Sequence, residues 1–247
     1  MNRVKAGFFS LTPTAPPDDD GRYLRWHLLD HMPEQYSIPG IVLGLRWIAD
    51  GDYPNHRIVA EAELAEAELA EVGNAVLYLM SDPVQPTYDA FMDLGGRLRD
   101  AGRFPETRPS LQTRLLAIAS CHAAPAAAVS AEVVPFRPHR GVVLIVEGPN
   151  DDATAWHDWL AMEHESALLE VPGVAGIWSF QSNETWKLRR HCEGPPQRNT
   201  VIFLEADPIA TTEALAPMIE RRWSSHAVRP MFAGPLRTMI DWEVWRQ

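Results

Sequence analysis

Four hydrogen-bonding side chains, each four residues from the next, are found near the N-terminus: Tyr23, His27, His31 and Gln35. In an α-helix, residues four apart lie on one face, so this spacing predicts a helix that carries a polar stripe. An unperturbed imidazole has a pKa near ~6.5 and can exchange protons at neutral pH. The stripe therefore predicts general acid/base chemistry, carried by His31 and assisted by His27 or Tyr23.

A short phrase that contains one of these histidines occurs twice. It consists of an acidic residue, a histidine, six further residues and an aliphatic-Pro-Gly-aliphatic run, and it covers positions 30–41 and 163–174, 133 positions apart. Trp26 and Trp159 are related by the same offset. A repeat of this length is typical of a duplicated supersecondary unit. His164 is therefore a further candidate catalytic residue.

Two other interpretations of the histidines stay open. Each can be a buried residue whose ring is satisfied by a backbone carbonyl. His27 and His31 can also share a metal ion, with Asp30 or Glu34 nearby. The second copy has Leu160 in place of His27, and the chain contains no HExxH pattern. We therefore predict no metal site.

The chain contains nine tryptophans, a residue that favours apolar burial with its indole N–H bonded. Most are expected in the core. Trp26, Trp47 and Trp159 are candidates to line a pocket for an aromatic ligand, with Gln35 as a polar contact.

Hydrophobic periodicity predicts the order β-α-β-β-α-β in each half. The first half has predicted strands at 4–11, 41–49, 75–80 and 111–118, and helices at 22–37 and 87–101. The second half has predicted strands at 141–147, 174–180, 200–205 and 236–242, and helices at 153–170 and 211–224. This order is the ferredoxin-like arrangement, so the predicted fold class is α+β with two tandem βαββαβ units, residues 1–120 and 141–247. An Ala/Pro-rich connector, 121–140, joins them.

Three local features depart from the simple unit. Residues 56–72 are rich in Ala, Glu and Leu and predict an extra helix between the second and third strands. The equivalent segment of the second half, 181–199, is basic and contains Pro, which predicts an irregular loop. Pro33 lies inside the first helix and is expected to kink it and open space around His31.

Bulk composition excludes several classes of partner. The 247 residues are 46% hydrophobic and carry a net charge of −11, which is typical of a soluble protein and argues against nucleic acid and anionic membranes. No apolar run approaches the ~20 residues that cross a bilayer. Two cysteines do not make a disulfide framework, so a reducing cytoplasm is the expected location.

The motif Trp26-His27-x-x-Asp30-His31-x-Pro33, followed by Ile38-Pro39-Gly40, resembles the signature of EthD-like proteins in the dimeric α+β barrel superfamily. The resemblance places the family histidine on His31 and, in the second copy, on His164. It implies two ferredoxin-like units packed sheet to sheet as a barrel. In this chain the units would be fused, giving a monomer with pseudo-twofold symmetry or a homodimer of it.

The resemblance also implies three functions. The first is an enzyme that uses histidine acid/base chemistry on a small hydrophobic or aromatic carbonyl or phenolic compound, as an isomerase, cyclase, lyase or cofactor-free monooxygenase. The second is a non-catalytic accessory or ligand-binding protein. The third is a haem protein with His31, His164 or His191 as axial ligand, although no cofactor is the expectation.

Overall fold

The computed structural model describes residues 2–13, 17–58, 69–104, 110–149, 165–224 and 228–239. Eight antiparallel strands close into one barrel: β1 Val4–Pro13, β2 Ile41–Ile48, β3 Val72–Ser81, β4 Gln112–Ala123, β5 Gly141–Pro149, β6 Val174–Gln181, β7 Arg198–Leu204 and β8 Val228–Thr238. The α-helices are α1 Pro17–Trp26, α2 Met32–Gln35, α3 Val84–Asp100, α4 Glu165–Leu169 and α5 Pro208–Trp223. A π-helix, His27–His31, joins α1 to α2. The molecule is a mixed α+β protein built on a closed antiparallel barrel.

The strand order around the barrel is β1-β3-β2-β8-β5-β7-β6-β4. Each half contributes four adjacent strands in the same internal order, β4-β1-β3-β2 and β8-β5-β7-β6. The two seams between the halves differ in extent. At the β4–β6 seam the paired positions run from Ala117 to Ala123, whereas the β2–β8 seam pairs only Trp47 with Thr238 and Ile48 with Arg237.

The repeated Pro-Gly phrase has the same backbone geometry in both halves. Gly40 and Gly173 have φ values of +98° and +93°, which favour glycine, and β2 and β6 begin directly after them. The Gly40 carbonyl accepts a hydrogen bond from Ser81 N at 2.9 Å, and the Gly173 carbonyl accepts one from Glu205 N at 2.8 Å. The repeat therefore marks a structural turn that starts the second strand of each half.

The segment between the second and third strands of each half crosses to the other half. In the first half the described part of this segment is 49–58 and 69–71, and there Ile58 bridges to Ala233 while the imidazole of His56 lies 3.1 Å from Glu213 of α5. In the second half, residues 182–197 lie against α3 and β4, and are named here the crossing segment. Thr113 of β4 donates to the His191 carbonyl at 2.7 Å.

Because side chains alternate along the strands, the apolar residues form a cluster inside the barrel and one cluster on the outer face of each sheet. Phe9, Leu77, Trp178 and Phe203 meet inside the barrel, where residues of both halves form one core. The outer face of the first sheet, which includes Phe8, packs against the first-half helices in a separate cluster. The outer face of the second sheet packs against α5 in a third cluster. Because the barrel interior is filled, a ligand site must be sought outside the sheets.

Several predicted bounds are corrected. The last strand begins at Val228 rather than 236. Pro230 and Pro235 argued against a strand in the sequence, but the segment is extended and pairs with β5. β4 extends to Ala123, so the predicted connector 121–140 starts inside a strand and continues as two 3₁₀ turns, Pro125–Ala127 and Ala131–Phe136.

Other predicted elements are only partly covered by the described residues. The extra helix at 56–72 falls mainly on 59–68, outside them, and is flanked by 3₁₀ turns at Tyr53–His56 and Leu69–Glu71. The predicted helix 153–170 is described only from Glu165 onwards. The crossing segment is irregular apart from a 3₁₀ turn, Arg190–Cys192. None of the helices in the described ranges is long and apolar enough to cross a bilayer.

Candidate active site

A cavity of about 780 Å³ lies between the outer face of the first sheet and the first-half helices. Its floor includes Phe8, Ser10 and Thr12 of β1, which alternate with the residues that fill the barrel. The predicted polar stripe lies on one wall, because the lining includes Tyr23, Trp26, His27, His31 and Gln35. The structure therefore brings together every predicted site residue of the first helix.

The histidines belong to an unusual helical turn. Residues His27–His31 form a π-helix, in which Met32 N–H bonds to the His27 carbonyl five residues back. Pro33 follows directly and has no N–H to donate, so it cannot continue a regular α-helix through this point. A π-turn, a feature often found at functional sites, therefore comes directly before Pro33, while the kink stays a prediction.

His31 is held between aromatic rings. Its imidazole stacks on Trp26, with 4.9 Å between ring centroids and 22° between planes, and meets the edge of Phe104 at 5.0 Å. The Gln35 side-chain amide lies 3.3 Å from Nε2 of His31, while Nδ1 is buried without a hydrogen-bond partner. Burial, together with the charge of Arg46, lowers the pKa of His31 to about 4, against an opposing effect of Asp30. His31 is therefore a neutral base at pH 7.

His27 lies deeper and is coupled to a tyrosine. Its side chain is 5% exposed, and its Nε2 lies 3.4 Å from the Tyr78 hydroxyl of β3. Burial and the charges of Arg46 and His31 lower the pKa of His27 well below its usual value, and burial raises the pKa of Tyr78. The two imidazole centroids are 5.5 Å apart. The site thus holds two neutral imidazoles and a protonated phenol.

Arg46 supplies a buried cation whose charge acts on both histidines, although it does not line the cavity. It lies on β2 and is 7% exposed, its guanidinium is 4.8 Å from the Tyr23 ring centroid, and it donates to Asn74 at 3.0 Å. Its charge disfavours protonation of both imidazoles. The same charge would stabilise negative charge that develops on a ligand in the cavity.

A short segment after α3 fixes the outer side of the helical wall. The Arg103 guanidinium bonds Asp30 at 3.0 Å and Glu34 at 2.7 Å, and its backbone carbonyl accepts the Trp26 indole N–H at 2.6 Å. Phe104 follows and packs on the Trp26 ring at 5.1 Å. These contacts hold the stacked arrangement of His31.

The opposite wall is formed by α3 and the crossing segment. Gln85 clamps that segment through two bonds to the Lys187 backbone, at 2.8 and 3.0 Å. Arg189 N–H donates to the Tyr88 hydroxyl at 2.9 Å, and the Arg189 side chain pairs with Asp93 at 2.7 Å. Arg189 and His191 line the cavity, so the second half contributes to the site of the first.

The corresponding face of the second sheet carries a buried ion cluster. The carboxylate of Glu165 accepts hydrogen bonds from Ser179 at 2.7 Å, Arg198 at 2.9 Å and Ser120. His122 Nε2 lies 3.1 Å from the same carboxylate. Burial lowers the pKa of Arg198, which Glu165 opposes.

One predicted site residue lies elsewhere, and two are outside the described residues. Trp47 was expected in the pocket, but it faces the barrel interior, is 2% exposed and donates its indole N–H to His139 at 2.9 Å. Its neighbour Arg46 faces the helices instead, because successive strand residues point to opposite faces. His164 and Trp159 lie outside the described residues.

Sequence reasoning missed Arg46, Tyr78 and Phe104. An arginine within the apolar run 41–49 was a usable signal, since a charge in a buried strand needs a reason. Tyr78 gave a weaker signal, because a tyrosine is common in a strand. No sequence signal indicated Phe104, whose position depends on the Arg103 contacts.

The site is thus a cavity with aromatic lining and two neutral histidines, on the outer face of a sheet in a closed eight-stranded α+β barrel. Among the described residues, no group of three or more His, Cys, Asp and Glu side chains is arranged to hold a metal ion.

The fold is similar to two solved structures. One is an anthrone oxidase-like protein, with 10% identity and a TM-score of 0.53 over 97% of this chain and 94% of that one. The other is a putative chlorite dismutase, with 11% identity and a TM-score of 0.56 over 98% and 96%. No protein-family model matches the chain, and no curated protein matches it in sequence. At these identities the likeness shows the fold alone.

Proposed function

We propose that the protein is an enzyme that removes a proton from a small aromatic carbonyl or phenolic compound. The observation that carries this proposal is the pair of desolvated imidazoles, His27 and His31, on the wall of a 780 Å³ cavity with aromatic lining. A base that stays neutral at pH 7 beside aromatic rings suits removal of a weakly acidic proton.

His31 is the proposed base. A Gln35 amide that donates to Nε2 of His31 leaves that nitrogen unprotonated, so Nε2 holds the basic lone pair. A substrate that takes the place of the Gln35 amide would transfer its proton to Nε2. The resulting oxyanion would be stabilised by the charge of Arg46. Tyr78 lies within hydrogen-bonding distance of His27, and the His27 ring in turn contacts the His31 ring.

This first step is shared by several reactions. Isomerisation, cyclisation, lyase chemistry and cofactor-free oxygenation of such compounds can all begin with loss of a proton beside a carbonyl. One neighbour in fold is titled anthrone oxidase-like, and anthrone is a tricyclic carbonyl compound with an acidic CH₂ group. Anthrone is therefore a reasonable test compound for the proposed step.

The experiment measures exchange of the anthrone CH₂ hydrogens for deuterium by NMR, in oxygen-free D₂O buffer. The wild type is expected to accelerate exchange, and His31→Gln to lose about 100-fold of that acceleration, the usual contribution of a positioned base. His56→Gln is the matched control, because His56 contacts Glu213 of α5 and does not line the cavity. Its exchange rate should equal that of the wild type.

A non-catalytic binding protein gives a different result. It would bind anthrone without accelerating exchange, and His31→Gln would leave the exchange rate unchanged. That outcome would reject the enzyme proposal and support the accessory one.

Haem ligation by His31 is the third candidate function, and iron would have to displace the Gln35 amide from Nε2, as a substrate would. Nδ1 of His31 is buried between the aromatic contacts of the ring. An axial ligand needs a ring nitrogen open to the iron. His191 lies at the exposed edge of the cavity, and His164 is outside the described residues.

We also propose that the chain contains two fused ferredoxin-like units and is a relative of EthD-like proteins. Support comes from the shared strand order of the halves, the matched turns at Gly40 and Gly173, and the contacts that residues 56–58 and 182–197 each make with the other half. The partner is then a small hydrophobic or aromatic molecule, bound by one chain with pseudo-twofold symmetry.

A further inference from the structure

The side of the cavity opposite His31 has an open backbone surface. Gly95 and Gly96 are adjacent in α3, and both line the cavity. A Cβ atom added at either position would meet no atom within 4 Å. Glycine within a helix costs about 1 kcal/mol relative to alanine, so a pair of glycines needs a reason. The open space beside them is suited to a flat ring.

Cationic side chains flank this surface. Arg97 and Arg99 follow directly on α3, and Arg189 joins them from the crossing segment. Three arginines and two carboxylates, Asp93 and Asp100, line the cavity, although the whole chain has a net charge of −11. Asp93 is paired with Arg189, so Arg97 and Arg99 face one remaining carboxylate of the lining, Asp100, and this end keeps an excess of positive charge.

Consecutive ring contacts connect the cationic end to the proposed base. The Arg99 guanidinium lies 5.5 Å from the Phe104 ring centroid, and Phe104 lies 5.0 Å from the His31 ring. One aromatic ring therefore separates Arg99 from His31. A ligand of one or two fused rings with a single anionic substituent matches this separation.

We infer that the substrate is an aromatic carboxylate whose carboxylate binds Arg99, with Arg97 adding positive charge at the same end of the cavity, while its ring lies on Gly95 and Gly96. The inference rests on the proposed function for the reacting end and adds the group that orients it. Arginine forms paired hydrogen bonds with a carboxylate, which fix direction as well as charge. Binding in this direction presents the far end of the ring to His31.

The test is calorimetric binding of 2-naphthoate and of the uncharged 2-naphthamide, which have the same shape. The wild type should bind naphthoate about tenfold more tightly, and added salt should reduce this preference. Arg97→Gln and Arg99→Gln should each weaken naphthoate binding about fivefold and leave naphthamide binding unchanged. Arg25→Gln is the control, since Arg25 is an exposed arginine of α1 that does not line the cavity.

Gly96→Leu tests the ring surface separately. It should abolish binding of both probes while raising the melting temperature, since leucine favours a helix more than glycine does. A loss of binding accompanied by higher stability cannot be attributed to unfolding.

Three outcomes would overturn the inference: equal affinity for the two probes, no binding of naphthoate, or unchanged naphthoate binding in both arginine variants. The arginines would then serve the C-terminal end of α3, where cations are favourable. Binding does not require turnover, so His31→Gln should keep the naphthoate preference. Failure of deuterium exchange and failure of this preference are therefore separate results.

Discussion

At the scale of single residues, the site depends on histidines that resist protonation. His31 is enclosed by Trp26 and Phe104, and His27 is buried against Tyr78. Water is largely excluded from both rings, and the neighbouring cation Arg46 opposes a second positive charge. The environment therefore sets the protonation state that the proposed chemistry needs. It does so at a cost in folding stability at low pH.

This cost predicts acid sensitivity of folding. The pKa of His31 is about 4 in the folded chain and near 6.5 when unfolded, so the unfolded state binds more protons between these values. The free energy of unfolding should fall as pH drops below 6.5, by about 2 kcal/mol at pH 5 from His31 alone. Urea unfolding of wild type and His31→Gln at pH 7 and pH 5 measures it.

The variant should show a smaller loss of stability on acidification than the wild type, since glutamine does not titrate. Equal pH dependence in the two proteins would show that His31 is protonated normally in the folded chain. Burial also lowers the pKa values of His27 and His139. Their contribution to the pH dependence of stability should therefore be present in both proteins.

At the scale of elements, the π-helix sets the direction of the histidines. A π-turn contains one more residue than an α-turn, so removing one residue should restore α-geometry. Leu29 is 66% exposed and lies in the middle of the π-turn, which makes it the residue whose loss disturbs packing least.

Deletion of Leu29 should keep the fold and disrupt the site. The expected result is a melting temperature within about 5 °C of wild type and at least tenfold weaker naphthoate binding, because His31 rotates away from Trp26. Leu29→Ala is the control and should change neither quantity. Undiminished binding after the deletion would show that the π-turn does not position the site.

The sequence predicted the elements better than it predicted the site. The stripe Tyr23, His27, His31 and Gln35 could be predicted because residues four apart lie on one face of a helix. The π-turn was not, since its cause combines Pro33 with the packing of the turn against the sheet. Phe104 and Arg189 reach the cavity from loops, and loop positions depend on tertiary contacts that periodicity does not encode.

The whole molecule is a barrel closed by two unequal seams. The β2–β8 seam has two paired positions and is reinforced by Arg237, which bonds Asp50 through two nitrogens at 2.7 and 2.5 Å. These hydrogen bonds lower the pKa of Asp50. The seam therefore depends on a side-chain pair as well as on backbone hydrogen bonds.

Arg237→Gln should loosen this seam selectively. Hydrogen exchange of peptides covering β2 and β8 should become faster, while exchange of β4 and β6 stays unchanged, and overall stability should fall by about 1 kcal/mol or less. Arg137→Gln is a matched control, because its pair with Glu205 has nearly the same exposure, 33% and 41% against 34% and 41%. Faster exchange at both seams, or at neither, would contradict the prediction.

The barrel itself was predicted through the repeated phrase and the resemblance it supports. Two matched Pro-Gly turns implied matched halves, and the structure shows matched strand order. The crossing of 182–197 onto the first half was not predicted, because an irregular basic segment gives no sign of its contacts.

A barrel encoded by one gene can evolve in a way that an assembly of identical chains cannot. Identical chains acquire every substitution twice, so both active sites must change together. Here Glu165 stands where the first half has Met32, and Ser179 where it has Arg46, and these replacements build the ion cluster of one face only. One face can therefore carry a cluster that strengthens the scaffold while its counterpart carries the candidate site.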